Sequence, residues 1–407
     1  MKNSIGSFSR MKSTNMTLVL NKIRENGTIS RVQIAKETGL TAATVTNLTA
    51  ELLAQGIIVE ADTGSSTGGR KPIMLKFNTS EFGICSAYIS PNHVEFAVAD
   101  LDANIIYYQS IPLPKENVAE SCVDFIADEF RRFFARSTLT PAGVGVGLHG
   151  IVDSRSGVSV FAPNMNWNNI PIGDMLREKI NIPVFADNDV RLMTMGEMWY
   201  GIAKNVSDLV FVYISSGIGG AIVINGNLYN GFKNGSGEIG HCTIDTDGQL
   251  CTCGNRGCVQ TKANRTAMTE AARLNAQNLP TILGKDCDCD EIVRACTEDK
   301  DPLAMQIMEN ESRYLGITVN NLINMFNPKM VVVNSDIKDF DKAIMTGLLD
   351  EAGKRKMRFF ENNSEIKYSK LREMAVLKGG IAMVLKNICE NPSLIKKQAV
   401  PAPNPRI

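Results

Sequence analysis

The sequence predicts an α/β protein in two parts. A small helical head closed by a two-stranded hairpin precedes a longer body built twice over from one strand-and-helix pattern. Three observations carry this. Residues 1–80 hold short helical periods separated by glycines and followed by two apolar runs. Residues 81–391 repeat an order of three strands, a helix and a further strand. A length of 407 residues also exceeds one ordinary domain.

In the head, Leu18, Val19, Leu20 and Ile23 give Met16–Asn26 one apolar helical face, and Gly27 ends it. Ser30 with Gln33 three residues on forms a capping box that opens a short helix through Thr38. Gly39 supplies a turn, and Thr41 caps a third helix carrying Val45, Leu48, Leu52 and Leu53 on one face. Helix, glycine turn and helix in this order are the pattern of a helix-turn-helix. Ile57–Glu60 and Ile73–Phe77 then read as strands joined by a Gly/Ser-rich tip ending in Arg70, Lys71 and Pro72. That hairpin predicts a wing whose glycines permit close approach and whose cations meet phosphates or a narrow minor groove. Thr41, Thr44 and Asn47 fall opposite the leucines, where short polar side chains can meet base edges. The partner expected is double-stranded operator DNA. Charge agrees: residues 1–80 carry ten Lys/Arg against five Asp/Glu, while the whole chain balances at 43 of each.

The body opens with three strand-like runs, 83–90, 93–100 and 104–111, then a helix over 116–137 and a buried strand at 142–148. The order recurs with strands at 209–214, 220–224 and near Leu228, a helix through 312–327 and a strand at 330–333. Two such lobes predict a duplicated α/β body with ligands taken up between them. Residues 147–153 and 161–167 read as loops, and Ile182–Ala186 as a strand ending in Asp187-Asn188-Asp189. Carboxylate and amide groups at a strand end are suited to hydrogen-bonding vicinal hydroxyls. The tail, 392–407, is rich in Pro, Lys and Asn and is expected to be disordered.

No run of eighteen apolar residues exists to span a membrane, and the N-terminus lacks an apolar signal core. Ten cysteines without a framework pattern point to a reducing, cytoplasmic setting. Three of them cluster in Glu238-Ile-Gly-His241…Cys251-Thr-Cys253-Gly-Asn-Arg-Gly-Cys258. Three thiols and an imidazole make a complete tetrahedral ligand set for structural zinc, and Gly254 and Gly257 let the backbone converge them. Cys287 and Cys289 lack a convergent His or second pair and read as a solvated loop.

Taken in order, Gly-x-x-Gly-Ile-Val-Asp, Ala-Pro-Asn-x-x-Trp, Asp-Asn-Asp, Ser-Gly-Ile-Gly-Gly, Gly-Glu-Ile-Gly-His and Cys-x-Cys-Gly-x-x-Gly-Cys resemble the ROK family of repressors, open reading frames and kinases. The resemblance covers essentially the whole chain, and the N-terminal winged helix is that of the family's repressor branch. It implies an actin/hexokinase-like (ribonuclease H-like) two-lobed body, a sugar or sugar-phosphate effector, and zinc. Residue by residue, it implies that Asn188 and Asp189 hold sugar hydroxyls, that Glu238 is a second sugar contact, and that His241 binds zinc and faces the sugar. Cys251, Cys253 and Cys258 match the thiolate ligands. Gly150 and Asn164 belong to the two loop-like segments, read either as completing a polyol pocket or as Asx turns at strand ends. Gln260 stands where the family has a sugar-contacting glutamate, removing a charge and adding a donor. His149 replaces a usual proline.

The family's kinases present Asp-x-Gly-Gly-Thr-Lys at the first strand turn, whereas this chain has Ile89-Ser-Pro-Asn-His93. Pro91 has no amide N–H to offer a phosphate. The later glycine-rich loop, Ser215–Gly220, is intact, but Val333-Asn-Ser-Asp336 replaces glycines beside the nucleotide. The expectation is a sugar-responsive repressor, not an enzyme, acting as a homodimer on a two-fold operator. A sugar kinase with an appended DNA-binding domain, and a repressor governed by a protein partner, are the alternatives.

Overall fold

Helix α1 (Asn3–Asn26) opens the head, followed by strand β1 (Ile29–Ser30), α2 (Arg31–Thr38), α3 (Ala42–Ala54), β2 (Ile58–Ala61) and β3 (Met74–Phe77). The computed structural model describes residues 3–61, 72–113, 119–232, 234–355, 357, 364–391 and 394. The wing tip with Arg70 and Lys71, and the tail apart from Leu394, therefore lie outside the described residues. The chain divides into two units, Met1–Leu192 with Leu377–Ile407, and Met193–Val376.

The head is held by Met16, Val19, Leu20, Ile23, Ile34, Val45, Leu48 and Leu52, all buried. Leu18, expected on the inner face of α1, is exposed instead, because Met16 completes that face at the i, i+3, i+4, i+7 spacing. Strand β3 pairs with both β1 and β2, giving a three-stranded order β1-β3-β2 where two strands were expected. Thr41 caps α3 as the sequence implied. Ser30 accepts from the Gln33 N–H, but the Gln33 side chain turns to Glu37, so only half of the expected capping box forms. Arg31 ties the parts together, donating to Thr49 at 3.0 Å and Glu60 at 3.1 Å.

The rest of the first unit begins with β4 (Phe82–Ile89), β5 (His93–Ala99), β6 (Ile105–Pro112), α4 (Ala119–Phe134) and β7 (Thr140–Leu148). Next come β8 (Ile151–Asp153), β9 (Val158–Ala162), β10 (Trp167–Ile170), α5 (Ile172–Ile180), β11 (Val184–Asn188) and the start of α6 (Asp189–Tyr200). The main sheet runs β11-β7-β4-β5-β6, parallel across β11, β7 and β4 and antiparallel across β4, β5 and β6. Strand β4 is buried along its whole length, as a central strand covered on both faces must be. The segments read as loops at 147–153 and 161–167 instead contribute to a small antiparallel sheet, β10-β9-β8. Its strands are three to five residues long and carry Asn and Ser, too short and polar to show a strand period.

The second unit holds β12 (Leu209–Ile214), β13 (Ile218–Ile224), β14 (Asn227–Leu228), α7 (Arg265–Asn275), α8 (Cys289–Arg294) and α9 (Pro302–Phe326). Then follow β15 (Met330–Ser335), α10 (Phe340–Lys354), β16 (Glu365–Tyr368) and α11 (Ala375–Glu390), the last mostly part of the first unit. Its sheet order β14-β13-β12-β15-β16 repeats the first strand for strand, with the same mixture of directions. The duplication read from the sequence is therefore present, as an actin/hexokinase-like body that follows a winged helix in chain order. Helix α9 starts ten residues before the expected Ser312, capped by Asp301 with Pro302 in its first turn. Cys287 and Cys289 are not solvated. Both are buried in the core of this unit, and burial pushes the Cys289 thiol up to about 12. No helix among the described residues is long and apolar enough to cross a membrane.

Candidate functional site

His241, Cys251, Cys253 and Cys258 converge, their ligand atoms all within 4.8 Å of one another. The loop that gathers them is closed by backbone bonds from Cys251 N to Asn255 O at 2.7 Å and from Gly254 N to Cys251 O at 2.9 Å. Gly257 is obligatory: its φ is +67°, and a Cβ there would stand 1.5 Å from the Asp245 carbonyl oxygen. The Cys251 Sγ to His241 Nδ1 distance is 3.6 Å and the Cys253 Sγ to Cys258 Sγ distance 3.7 Å. A tetrahedron with Zn–S near 2.3 Å and Zn–N near 2.0 Å has edges of about 3.5 and 3.8 Å, so the donor set fits such an ion.

Burial works against ionising Cys251, but the Cys253 backbone N–H and the surrounding thiols and imidazole outweigh it, and its pKa falls to about 6. Cys258 is pushed the other way, to about 12, by burial and by its sulfur neighbours. Sulfurs this close share protons in the absence of a cation. The far ring nitrogen of His241 lies 3.9 Å from the exposed Glu238 carboxylate. Gln260 donates from Nε2 to Cys251 Sγ at 3.3 Å, a contact that sequence reasoning missed. Its carbonyl oxygen lies beside Gly217 in the glycine-rich loop. That loop is in turn fixed by Asn264, which donates to the Ser216 carbonyl at 2.9 Å, and by Arg265 N to Ser215 O.

In the first unit, β11 delivers Asp187 and Asn188 to its C-terminal end, and Asp189 opens α6. Asp189 is buried, with Oδ1 accepting from Asn188 Nδ2 and Val190 N, both at 2.9 Å. Its Oδ2 accepts from the Tyr88 hydroxyl at 3.2 Å. Asn188 also donates to the Gly150 carbonyl at 2.9 Å, joining β11 to the β7–β8 turn. A buried ion pair, Arg191 Nε to Asp187 Oδ1 at 2.8 Å, braces the segment from behind. His149 stands with Nδ1 3.5 Å from Asp189 Oδ2 and Nε2 3.2 Å from Asn164 Nδ2. Gly150, Asn164, Asn188 and Asp189 thus gather in the first unit, and Glu238, His241 and Gln260 in the second. Tyr88 and His149 were not among the expected contacts. They come from β4 and the end of β7, 101 and 40 residues from Asp189 in sequence, and no local spacing announces such a contact.

The turn after β4 is closed on itself. Ser90 Oγ accepts from the N–H groups of Asn92 and His93 at 3.3 and 3.0 Å, and Ser90 N donates to the His93 carbonyl. On α3, Thr41 and Asn47 are exposed and Thr44 is half-buried. The Thr41 hydroxyl serves as the N-cap and also meets the Thr44 hydroxyl at 2.9 Å.

Helix α1 is joined to α11 within the first unit. Thr17 donates to the Cys389 carbonyl at 3.1 Å and Ser13 to that of Glu390. Helix α11 rests directly on α6: a Cβ at Gly379 would stand 1.8 Å from the carbonyl oxygen of Leu192, three residues beyond Asp189.

Residues 89–387 match the ROK family, and residues 17–59 match a winged helix-turn-helix DNA-binding family. The xylose repressor of Caldicellulosiruptor bescii is 31% identical over 397 residues, covering 95% of this chain and 99% of that protein. The DNA-binding transcriptional dual regulator NagC of Escherichia coli is 28% identical, covering 93% and 94%. Among solved structures, a ROK family transcriptional regulator described as a homolog of the E. coli MLC protein superposes with a TM-score of 0.83 at 25% identity, covering 95% and 99%. The chain belongs to the ROK family and carries at its N-terminal end the winged helix-turn-helix of a DNA-binding regulator.

Proposed function

We propose that this protein is a cytoplasmic, sugar-responsive repressor of carbohydrate-use genes whose operator affinity is set by a sugar or sugar phosphate. The observation that carries the reading is the unbroken run of contacts from Asp189 to the DNA-reading head. Asp189 opens α6, α6 supports α11 at Gly379, and α11 is hydrogen-bonded to α1 through Thr17. A ligand that biases the first turn of α6 therefore acts on an element in contact with the head.

Asn188 and Asp189, with Gly150 and Asn164, would meet sugar hydroxyls on the first unit. Glu238 and His241, with Gln260, are the second unit's candidates. Zinc held by His241, Cys251, Cys253 and Cys258 would fix the imidazole orientation, and Gln260 would hold Cys251 in place. Thr41, Thr44 and Asn47 would read bases, with Arg70 and Lys71 on phosphates or in the minor groove. A homodimer would place two such heads on half-sites about one helical turn apart. The names of the relatives make xylose and N-acetylglucosamine the first sugars to try. A regulator is favoured over a kinase by the turn at Ile89–His93, whose N–H groups at Ser90, Asn92 and His93 are already engaged. Fluorescence anisotropy of labelled operator, titrated with each sugar, tests the proposal. A hundredfold release corresponds to about 2.7 kcal/mol of coupling, and no change with any sugar or sugar phosphate overturns it.

A further inference from the structure

We infer that His149 is a specificity-determining contact of the effector site, reading one hydroxyl group of the sugar together with Asp189. The inference rests on the reading of Asp189 as an effector contact and adds to it which group of the ligand is read and how. A carboxylate has about four acceptor positions. On Asp189, two are filled on Oδ1 by Asn188 and Val190, and one on Oδ2 by Tyr88. What is left is the side of Oδ2 that faces His149. There Nδ1 lies 3.5 Å away, beyond a good N–H···O bond yet close enough for one oxygen to stand about 2.8 Å from both atoms.

The imidazole is set up to donate into that position. Asn164 Nδ2 faces Nε2 at 3.2 Å, an arrangement that favours the tautomer in which Nε2 accepts and Nδ1 carries the ring proton toward Asp189. A group lodged there must donate to a carboxylate and accept from an N–H at once. A hydroxyl does both; an ether, a fluorine or a bare methylene does not. The exposures agree, since the His149 side chain is 28% accessible while that of Asp189 is 4% accessible, leaving the approach open from the histidine side.

The test measures binding of D-xylose, D-glucose and N-acetylglucosamine, with their mono-deoxy analogues, to the full chain by calorimetry. The wild type should bind one of these sugars and reject one of its deoxy analogues by roughly tenfold or more, since the buried partners are left unpaired. His149→Ala should lose that discrimination by weakening the parent sugar to the level of the analogue. His149→Asn, which keeps an N–H donor at similar reach, should retain most of it. A loss of packing alone would weaken parent and analogue alike, and that result, or unchanged discrimination in His149→Ala, overturns the role of His149. Failure of the wild type to bind any sugar or sugar phosphate would instead remove the effector reading itself. The chain has only three histidines, so 15N-histidine spectra resolve the ring directly. The ring signal of His149 should shift when the sugar that binds is added, and a silent signal contradicts the contact.

Discussion

Replacing Cys253 by serine removes one sulfur from a four-atom cluster in which two edges, 3.6 and 3.7 Å, have the lengths of a tetrahedral zinc site. Structural zinc sites of this type contribute roughly 10–16 kcal/mol of apparent binding energy at neutral pH. Shared among four ligands, that is about 2.5–4 kcal/mol for each, or a loss of roughly 60- to 700-fold in affinity. A serine hydroxyl does not recover this, because it stays protonated where the thiol ionises. The assay is competition against a chromophoric chelator at fixed pH, with zinc counted by elemental analysis. Cys242→Ser is the control: Cys242 is exposed and adjoins His241 in sequence, yet lies outside the cluster, so its removal should leave zinc affinity unchanged. Zinc affinity of Cys253→Ser within threefold of wild type, or an equal loss in Cys242→Ser, would refute the assignment of ligands.

Further expectations concern the head, its tether and a buried carboxyl. Arg70→Ala should weaken operator binding and lower the log–log salt slope by roughly one unit, while an unchanged slope would place Arg70 away from phosphate. Thr17→Val deletes the bond to the Cys389 carbonyl and leaves that oxygen unmatched, so operator affinity should drop a few-fold; equal affinity in an intact fold would mean α11 does not steady α1. Glu311 is fully buried, and burial, partly offset by the Asn264 N–H, holds its pKa well above the ordinary 4.5. The folded state thus keeps a proton that the unfolded chain releases, and stability should fall as pH rises above about 4.5. Glu311→Gln should accordingly raise Tm at neutral pH with little change near pH 4, and a uniform shift at both would show that its titration is not the cause.

Local signals were the ones legible in the sequence. The caps at Ser30, Thr41 and the glycine at position 39 mark the helix-turn-helix because each acts within one turn of chain. The metal ligands were legible because three of the four lie within eight residues. Repetition of the strand order exposed the duplicated sheets. The β8–β10 sheet was missed since its strands are shorter than a readable period, and Asn166 and Asn169 adopt positive φ around it. The early start of α9 was legible in principle, as Asp301-Pro302 is a helix-opening signal. The same holds for α8, where Asp288 and Glu291 form a full capping box and draw Cys289 into the core. The contacts of Tyr88 and His149 with Asp189, and of Gln260 with Cys251, depend on tertiary approach and leave no trace in spacing.

The most direct measurement is an anisotropy titration of zinc-loaded protein on an operator selected from random duplexes, repeated with xylose, N-acetylglucosamine, glucose and their phosphates. A single member of that panel should shift operator affinity by an order of magnitude or more in wild type and leave it unmoved in Asp189→Asn. Tight operator binding that no carbohydrate alters would leave a DNA-binding protein without the sugar sensor proposed for it.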